Sequence, residues 1–266
     1  MLSFRQTAAQ DVPQLSGLWL ACFEDTPQAV KLFFERNKSD LHGYAATEDG
    51  AVIAAVYLID CTLNGRQAHY LCGAATLPSH RKRGVMSALI DYALGDAAAR
   101  GDSFSVLLPA NDGLYRFYAR LGYQKGCTAH ALTLDCACDE DAASGSPDVM
   151  RLQQDCQRRS FLLWSREYLA FAEAYYACYG AKALTSGEVF ALYEQDGDFA
   201  EVFYAVYTRL DALKALLHAQ GVRRFRLWGN GDNPLFAGTT PHSYGMIRPL
   251  GGTEVPGGVY IGLTLS

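Results

Sequence analysis

The 266-residue sequence predicts a mixed α/β (α+β) protein built from two domains, on three observations. Strand-like stretches alternate with stretches of helical periodicity in both halves of the chain. About half of the residues are hydrophobic, which is enough for a sizeable core in each half. Between the halves, "CACDEDAASGSPDVM" breaks the apolar periodicity with acids, small residues and a proline. The predicted division is therefore a first domain over 1–135, a linker over 136–150 and a second domain over 151–266.

The first domain opens with a short strand, "SFRQT", and a helix for which Asp11 is the predicted N-cap, with Gln14 three residues on. Two strands follow, "AVIAAVYLI" and "QAHYLCGAATL", and the dipeptide Asn64–Gly65 between them predicts a hairpin turn. A helix begins after Gly84 and ends at Gly101. Strand "SFSVLL", helix "GLYRFYARLG" and strand "TAHALTL" complete the domain.

The second domain begins with a predicted helix in which aromatic residues from Phe161 to Tyr175 step by three and four. A hairpin about Asp196–Gly197, the helix "LDALKALLHAQG" and the strand "RRFRLW" come next. "YGMIRPL" and "GVYIGLTLS" are the last predicted strands. This order loosely repeats that of the first domain, which predicts a degenerate structural repeat.

Charge, hydropathy and cysteine usage exclude several classes of protein. The net charge of −5 argues against broad affinity for nucleic acid. The N-terminus has no apolar signal segment, and the longest apolar run is far shorter than the ~20 residues of a membrane span. Of the eight cysteines, only Cys136 and Cys138 are close together, and they lack the further ligands of a zinc site. We expect a cytoplasmic protein with free thiols and no metal site.

The segment "PSHRKRGVM", residues 78–86, predicts an anion-binding loop. It follows a strand and enters a helix, whose first-turn amides have no partner and favour an anion together with the helix dipole. Gly84 lets an anion approach the main chain, and Arg81, Lys82 and Arg83 add positive charge. A diphosphate suits this arrangement best, although GxxxxGK[ST] and GxGxxG are both absent. A solvated basic surface is the alternative, and nucleic-acid binding is a distant third.

Three segments together resemble the GNAT acetyltransferases. "RKRGVM" resembles the family's pyrophosphate-binding motif [QR]xxGx[GA], with Met86 departing from it at the small-residue position. "NDGLYRFYARLGY", residues 111–123, resembles the family's Asn and Tyr-x-x-x-Gly-aromatic segment. "FRQTAAQDVPQLSGLW" resembles its opening strand and helix. The resemblance covers residues 2–135, and a second domain after it is similar to the multidomain Eis-like group.

The resemblance implies a site for acetyl-CoA and a catalytic tyrosine. Main-chain groups of Ala74, Ala75 and Thr76 would contact the pantetheine arm and the acetyl carbonyl. Asn111 would bind the arm, and Tyr118 would be the general acid, its alternative being a packed aromatic beside Phe117 and Tyr115. The implied diphosphate-binding residues are Arg81, Lys82, Arg83, Gly84, Val85, Met86 and Ser87.

The implied function is transfer of acetyl from acetyl-CoA to a primary amine of a small molecule or peptide. Some relatives have a glutamate where this chain has Val106, so a base must come from elsewhere, act through water or be unnecessary. Glu24, Asp25 and Asp112 are base candidates by rough location only. A non-catalytic acyl-CoA-binding sensor or regulatory module is the alternative function.

The second domain lacks a comparable loop. Arg209 leads directly into Leu210, without Pro-x-x-Arg and without a glycine. Close approach by a diphosphate is therefore blocked there, which predicts one cofactor per chain.

Overall fold

A computed structural model describes residues 1–36, 40–136, 144–156 and 160–265. Residues 137–143, which make up much of the predicted linker and include Cys138, lie outside this range. The chain divides into two compact units. The first comprises Met1–Lys125, Gly245–Val255 and Leu265, and the second comprises Gly126–Tyr244 and Pro256–Thr264.

Strands and helices alternate along the described chain, with short 3-10 helices at Ala9–Asp11, Pro78–His80 and Pro234–Phe236. The strands are β1 (Leu2–Gln6), β2 (Leu41–Glu48), β3 (Ala51–Leu63), β4 (Arg66–Thr76), β5 (Phe104–Leu107), β6 (Gln124–Lys125), β7 (Thr128–Asp135), β8 (Leu162–Trp164), β9 (Lys182–Ser186), β10 (Val189–Asp196), β11 (Phe199–Tyr207), β12 (Arg224–Gly229), β13 (His242–Ser243) and β14 (Met246–Pro249). The helices are α1 (Val12–Cys22), α2 (Pro27–Arg36), α3 (Val85–Arg100), α4 (Asp112–Arg120), α5 (Val149–Cys156), α6 (Arg166–Ala177) and α7 (Leu210–Ala219).

The sheet of the first unit has the strand order β1–β2–β3–β4–β5–β14–β6. Neighbours are antiparallel except β4 and β5, which are parallel and are joined by α3. The β3–β4 hairpin turns at Asn64 and Gly65, both with positive φ, as the Asn-Gly dipeptide predicted. This mixed sheet flanked by helices confirms the predicted fold class.

The two faces of the first sheet are covered by different helices. Because side chains alternate along β3, Val56 and Leu58 face one side and Tyr57 the other. The Val56 side packs against the apolar stripe of α3, which includes Leu89 and Ile90. On the opposite side, the rings of Tyr57, Trp19 of α1 and Phe33 of α2 pack with centroids 4.5–5.6 Å apart. Both faces of the sheet are thus covered by helices, so a ligand would bind at the ends of the parallel strands β4 and β5.

The second unit has a sheet of its own, in the order β13–β7–β12–β11–β10–β9. Its only parallel pair among the described strands is β11 with β12, which α7 connects. The predicted hairpin between β10 and β11 is confirmed. The core between this sheet and α7 includes Leu213, Leu217, Val202, Phe225 and Leu227. A parallel strand–helix–strand unit inside an otherwise antiparallel sheet is the arrangement that the first unit also shows.

Long-range pairing alters the predicted assignment of two strands. β7, expected to close the first domain, pairs with β12 of the second unit, with Leu132 opposite Leu227. β14, expected at the end of the second domain, lies between β5 and β6 of the first unit. In both cases the local pattern identifies a strand, and contacts with residues far along the chain decide its sheet.

Other elements also differ from the prediction. The aromatic segment expected as one helix from Phe161 begins as strand β8, and α6 starts at Arg166 behind the N-cap Ser165. The predicted final strand, "GVYIGLTLS", makes only isolated bridges at Val259 and Tyr260. Helices α2 and α5 and strand β2 were not predicted, because their apolar patterns are short. Among the described helices, none has both the length and the hydropathy needed to cross a bilayer.

Asp11 occupies the predicted N-cap position of α1, but its carboxylate has other partners. It accepts hydrogen bonds from Arg5 at 2.6 and 2.8 Å and from the amide of Ala8 at 2.8 Å. The predicted partner Gln14 instead accepts the amide of Val52 through its side-chain oxygen at 3.0 Å. Asp11 therefore ties β1 to the turn before α1 instead of capping the helix.

Candidate active site

Strands β4 and β5 diverge at the centre of the first sheet. Their parallel pairing runs from Ala68 opposite Phe104 to Tyr70 opposite Val106, whereas β4 continues to Thr76. Ala74, Ala75 and Thr76, the predicted contacts of an extended ligand, lie on this diverging part of β4. A gap between the carboxyl ends of parallel strands is a usual ligand position in α/β proteins.

The bend in β4 is fixed by Gly73. The pairing with β3 slips here, since Ala55 is opposite Ala75 while Tyr57 is opposite Cys72. Gly73 has φ of +59°, and a Cβ at this position would lie 2.7 Å from Trp19 and 2.8 Å from Tyr57. Only glycine meets both conditions, because side chains rarely adopt such a φ and the space is filled. This residue was not recognised from the sequence.

The predicted anion loop joins the end of β4 to α3. Gly84 is the N-cap of α3 with φ of +75°, and Lys82 also has a positive φ of +62°. The first backbone hydrogen bond of the helix runs from the amide of Ala88 to the carbonyl of Gly84 at 3.1 Å. The amides of Val85, Met86 and Ser87 therefore belong to the first turn, where helices bind anions. The side chain of Met86 packs against the core, so its departure from the motif does not close the loop.

Two of the three basic side chains of the loop already have protein partners. Arg81 donates through Nε to the carbonyl of Thr76 at 3.0 Å and so ties the loop to the end of β4. Arg83 donates to both oxygens of Glu48, at 2.7 and 3.3 Å, and His80 Nε2 lies 3.1 Å from the same carboxylate. These contacts hold the pKa of Glu48 below and that of Arg83 above their ordinary values. Glu48 ends β2, a strand that was not predicted, so its role was missed.

Helix α4 carries the two remaining predicted residues. Asn111 is its N-cap and accepts the amide of Leu114 through Oδ1 at 3.1 Å. Because the side-chain oxygen is used in this way, the NH₂ group is the part of Asn111 that can donate to a ligand. Tyr118, two turns later, is only 6 % exposed and packs edge-on against Phe117 and Tyr123.

Tyr118 belongs to the buried cluster that includes Leu71 of β4 and against which Ala74 of β4 packs. Burial, with a smaller contribution from the thiol of Cys72, raises the pKa of Tyr118 above its ordinary value. A phenol with a raised pKa stays protonated at neutral pH and is available as a proton donor. Packing and proton donation are therefore compatible at this position.

Val106 and the three candidate bases differ in their surroundings. Val106 is fully buried on β5, which lies between β4 and β14. Asp25 accepts the indole N–H of Trp19 at 2.5 Å. Glu24 and Asp112 are exposed, the latter in the first turn of α4. None of these three carboxylates has a described contact with Tyr118.

Comparison with known proteins agrees with this geometry. Residues 3–126 match the family model described as an acetyltransferase (GNAT) domain. Over these residues the chain resembles a GNAT acetyltransferase domain. The match spans β1 to β6, including the diverging strands, the loop and the tyrosine of the GNAT domain. No curated protein matches the sequence.

Solved structures show that the likeness of fold extends beyond the GNAT domain. A probable N-acyltransferase from Enterococcus faecalis is similar at TM-score 0.74 and 17% identity, covering 94% of this chain and 72% of its own. Eis1 from Mycobacterium abscessus is similar at TM-score 0.65 and 16% identity, covering 94% and 73%. A tandem GNAT protein of the clavulanic acid biosynthesis pathway gives TM-score 0.52 and 16% identity, covering 96% and 100%. The fold is thus that of a GNAT domain followed by a second GNAT-like domain.

Proposed function

We propose that this protein is an N-acetyltransferase that moves the acetyl group of acetyl-CoA to a primary amine of a small molecule or peptide. GNAT acetyltransferase domains support acyl transfer in general, and the N-terminal half of the chain has that fold. The observation that carries the proposal is the buried position of Tyr118, in the cluster against which Ala74 of the diverging part of β4 packs.

The residues present fit acetyl-CoA. The first-turn amides of α3 and the loop from Lys82 to Gly84 would hold its diphosphate, with Arg81 and Arg83 shaping the loop from either side. The diverging main chain from Ala74 to Thr76 would take the pantetheine arm and donate N–H groups to the acetyl carbonyl. Such donors stabilise negative charge that develops on a carbonyl oxygen.

Tyr118 would supply the proton that the leaving thiolate requires. The amine nitrogen forms a bond to the acetyl carbon, the carbon–sulfur bond breaks, and the phenol donates to sulfur. The proton released by the amine passes to solvent, which restores the phenol. With Val106 at the position where some relatives have glutamate, we propose that the amine arrives neutral or loses its proton through water.

A sensor that binds acyl-CoA without turning it over is the second candidate. It is favoured by one observation, that Val106, which cannot accept a proton, stands where some relatives have a glutamate. Both candidates share the same cofactor site and differ only in chemistry.

The decisive experiment measures thiol release from acetyl-CoA across a panel of primary amines, with mass spectrometry of the products. We expect at least one amine to be acetylated with thiol release in equal amount. If acetyl-CoA binds and no amine in a broad panel is acetylated, the enzyme proposal is wrong and the sensor is supported. Polyamines, aminoglycosides and peptide N-termini together represent the main kinds of primary amine.

A further inference from the structure

The second unit contains a cleft that repeats the geometry of the cofactor cleft in the first. β11 and β12 are parallel and pair only from Phe199 opposite Arg224 to Val202 opposite Leu227, whereas β11 continues to Tyr207. Helix α7 connects the two strands, as α3 connects β4 and β5. The crevice beyond the carboxyl ends of such strands is a common binding position.

A cavity of about 260 Å³ lies in this crevice. Its walls come from the end of β11, the start of α7, the segment after β12 and helix α5. The lining residues are Asp155, Tyr207, Thr208, Leu210, Asn230, Asp232, Asn233, Pro234 and Leu235. A smaller recess of about 30 Å³ shares Tyr207, Asn230 and Asn233 with it. The recess has aromatic walls, among them Trp228, so the site has a polar mouth and an apolar end.

The charge of this cavity is opposite to that of the cofactor loop. Asp155 and Asp232 contribute two carboxylates, and no Lys, Arg or His is among the nine described lining residues. Arg209, next to Thr208 in the chain, donates to the carboxylate of Glu188 at 2.9 and 3.1 Å, which balances its charge. Arg151 lies 3.5 Å from Asp155 in an exposed ion pair, so Asp232 is the lining carboxylate without an ion-pair partner among the described residues. A diphosphate placed here would meet carboxylates and would lack the glycine that admits it to the main chain.

We propose that this cavity binds a small organic cation with a primary ammonium group, such as a short alkyl amine or diamine. Asp232 would attract the ammonium group, and Asp155, which also pairs with Arg151, would add to this attraction. The aromatic recess beside Trp228 would hold the carbon chain, and aromatic rings also favour a nearby cation. This proposal does not depend on acetyl transfer in the first unit.

The three tryptophans of the chain make the proposal testable by NMR of their indole N–H groups. Trp228 lines the recess, Trp164 is buried in the second unit away from the lining, and Trp19 lies in the first unit. The probes are 1,4-diaminobutane, butylamine, 1,4-butanediol and succinate, which share a four-carbon chain and differ in charge. We expect saturable movement of the Trp228 resonance with diaminobutane, and no saturable movement with the diol or succinate.

Variants identify the binding site independently of the reporter. Asp232→Asn and Asp155→Asn should each weaken diaminobutane binding by about three-fold or more, as expected for the loss of a charged contact. Asp198→Asn, an exposed aspartate outside the cavity, is the matched control and should bind as the wild type does. Tyr118→Phe should also leave this binding unchanged.

The proposal is overturned if diaminobutane and butylamine both leave Trp228 unmoved, or if succinate or acetyl-CoA moves it saturably. It is equally overturned if Asp232→Asn and Asp155→Asn bind diaminobutane as tightly as the wild type. Amine binding at the acceptor site of the first unit alone would leave Trp228 unmoved and would be insensitive to both variants, so the two sites are distinguishable.

Discussion

Glu48 and Arg83 form a two-point ion pair that joins the end of β2 to the cofactor loop. Both carboxylate oxygens accept from the guanidinium, at 2.7 and 3.3 Å, and His80 reaches the same carboxylate. The pair spans two segments that are distant in sequence and leaves the Arg83 side chain about half exposed. The ion pair therefore restrains the conformation of the loop, in which Lys82 has an unfavourable positive φ.

Glu48→Gln should weaken the binding of acetyl-CoA modestly. Loss of the ion pair leaves Lys82 and Arg83 less restrained, so part of the loop ordering must accompany binding. We expect KM for acetyl-CoA to rise about 2–5-fold with kcat unchanged, in keeping with ~0.2–1 kcal/mol for an exposed pair. Glu35→Gln, which removes an exposed carboxylate of α2 paired with Lys31, is the control. Tighter binding by Glu48→Gln would instead mean that Glu48 competes with the diphosphate for Arg83.

Tyr118→Phe should separate chemistry from cofactor binding. The substitution removes only the hydroxyl, so the buried ring still packs against Phe117 and Tyr123. We expect kcat to fall by about 10²–10⁴ while the Kd for acetyl-CoA holds. Tyr115→Phe on the same helix should retain wild-type turnover. If Tyr118→Phe also retains it, the phenol is not the proton donor.

Gly73→Ala tests the bend in β4. A Cβ there would lie 2.7 Å from Trp19 and would occupy a left-handed φ, so both strain and overpacking follow. We expect a loss of about 2–4 kcal/mol in the free energy of unfolding. Gly17→Ala is the matched control, because Gly17 lies within α1 with open space at its Cβ position and should gain roughly 0.5–1 kcal/mol. Denaturant unfolding of both variants measures the difference, and equal stabilities would refute this account of Gly73.

The sequence predicted those turns and helix ends whose conformation depends only on neighbouring residues. Asn64–Gly65 specifies its turn through two adjacent positive φ angles, and the amides after Gly84 are unpaired simply because a helix begins there. The site was reached in the same way, since the loop, Asn111 and Tyr118 each lie in a recognisable local segment.

Long-range pairing determined what the sequence did not reveal. The pattern of β14 predicts a strand but contains nothing that selects β5 as its neighbour, more than a hundred residues earlier. Glu48 was missed for the same reason, because its partner is visible only once β2 lies beside β3. The carboxylate of Asp11 binds Arg5 instead of capping the helix, and the periodicity of the sequence cannot show which of these two contacts is favoured.

Asp11 predicts how stability depends on pH. Its side chain is 5% exposed, and the hydrogen bonds from Arg5 hold its pKa below the ordinary value. A lowered folded pKa gives stability that is complete above the unfolded pKa of ~3.9 and is lost as pH falls through the folded value. Asp11→Asn should therefore be less stable than the wild type by about 1–3 kcal/mol at neutral pH, with the gap closing below pH ~4. Arg5→Gln should show the same window in urea unfolding, and a gap independent of pH would contradict the assignment.

Calorimetric titration should find one acetyl-CoA per chain. The cleft of the second unit has the strand geometry but not the loop, because Thr208 and Arg209 join β11 directly to α7 and Arg209 is paired with Glu188. Its two lining aspartates would also repel a diphosphate. At the first site, Gly84→Ala would add a Cβ that meets no neighbouring atom, but alanine rarely adopts the φ of +75° found there. The substitution should therefore weaken this single binding event. Arg209→Ala in the second unit should leave it unchanged. A stoichiometry of two, or loss of binding on Arg209→Ala, would show that the second unit also holds the cofactor.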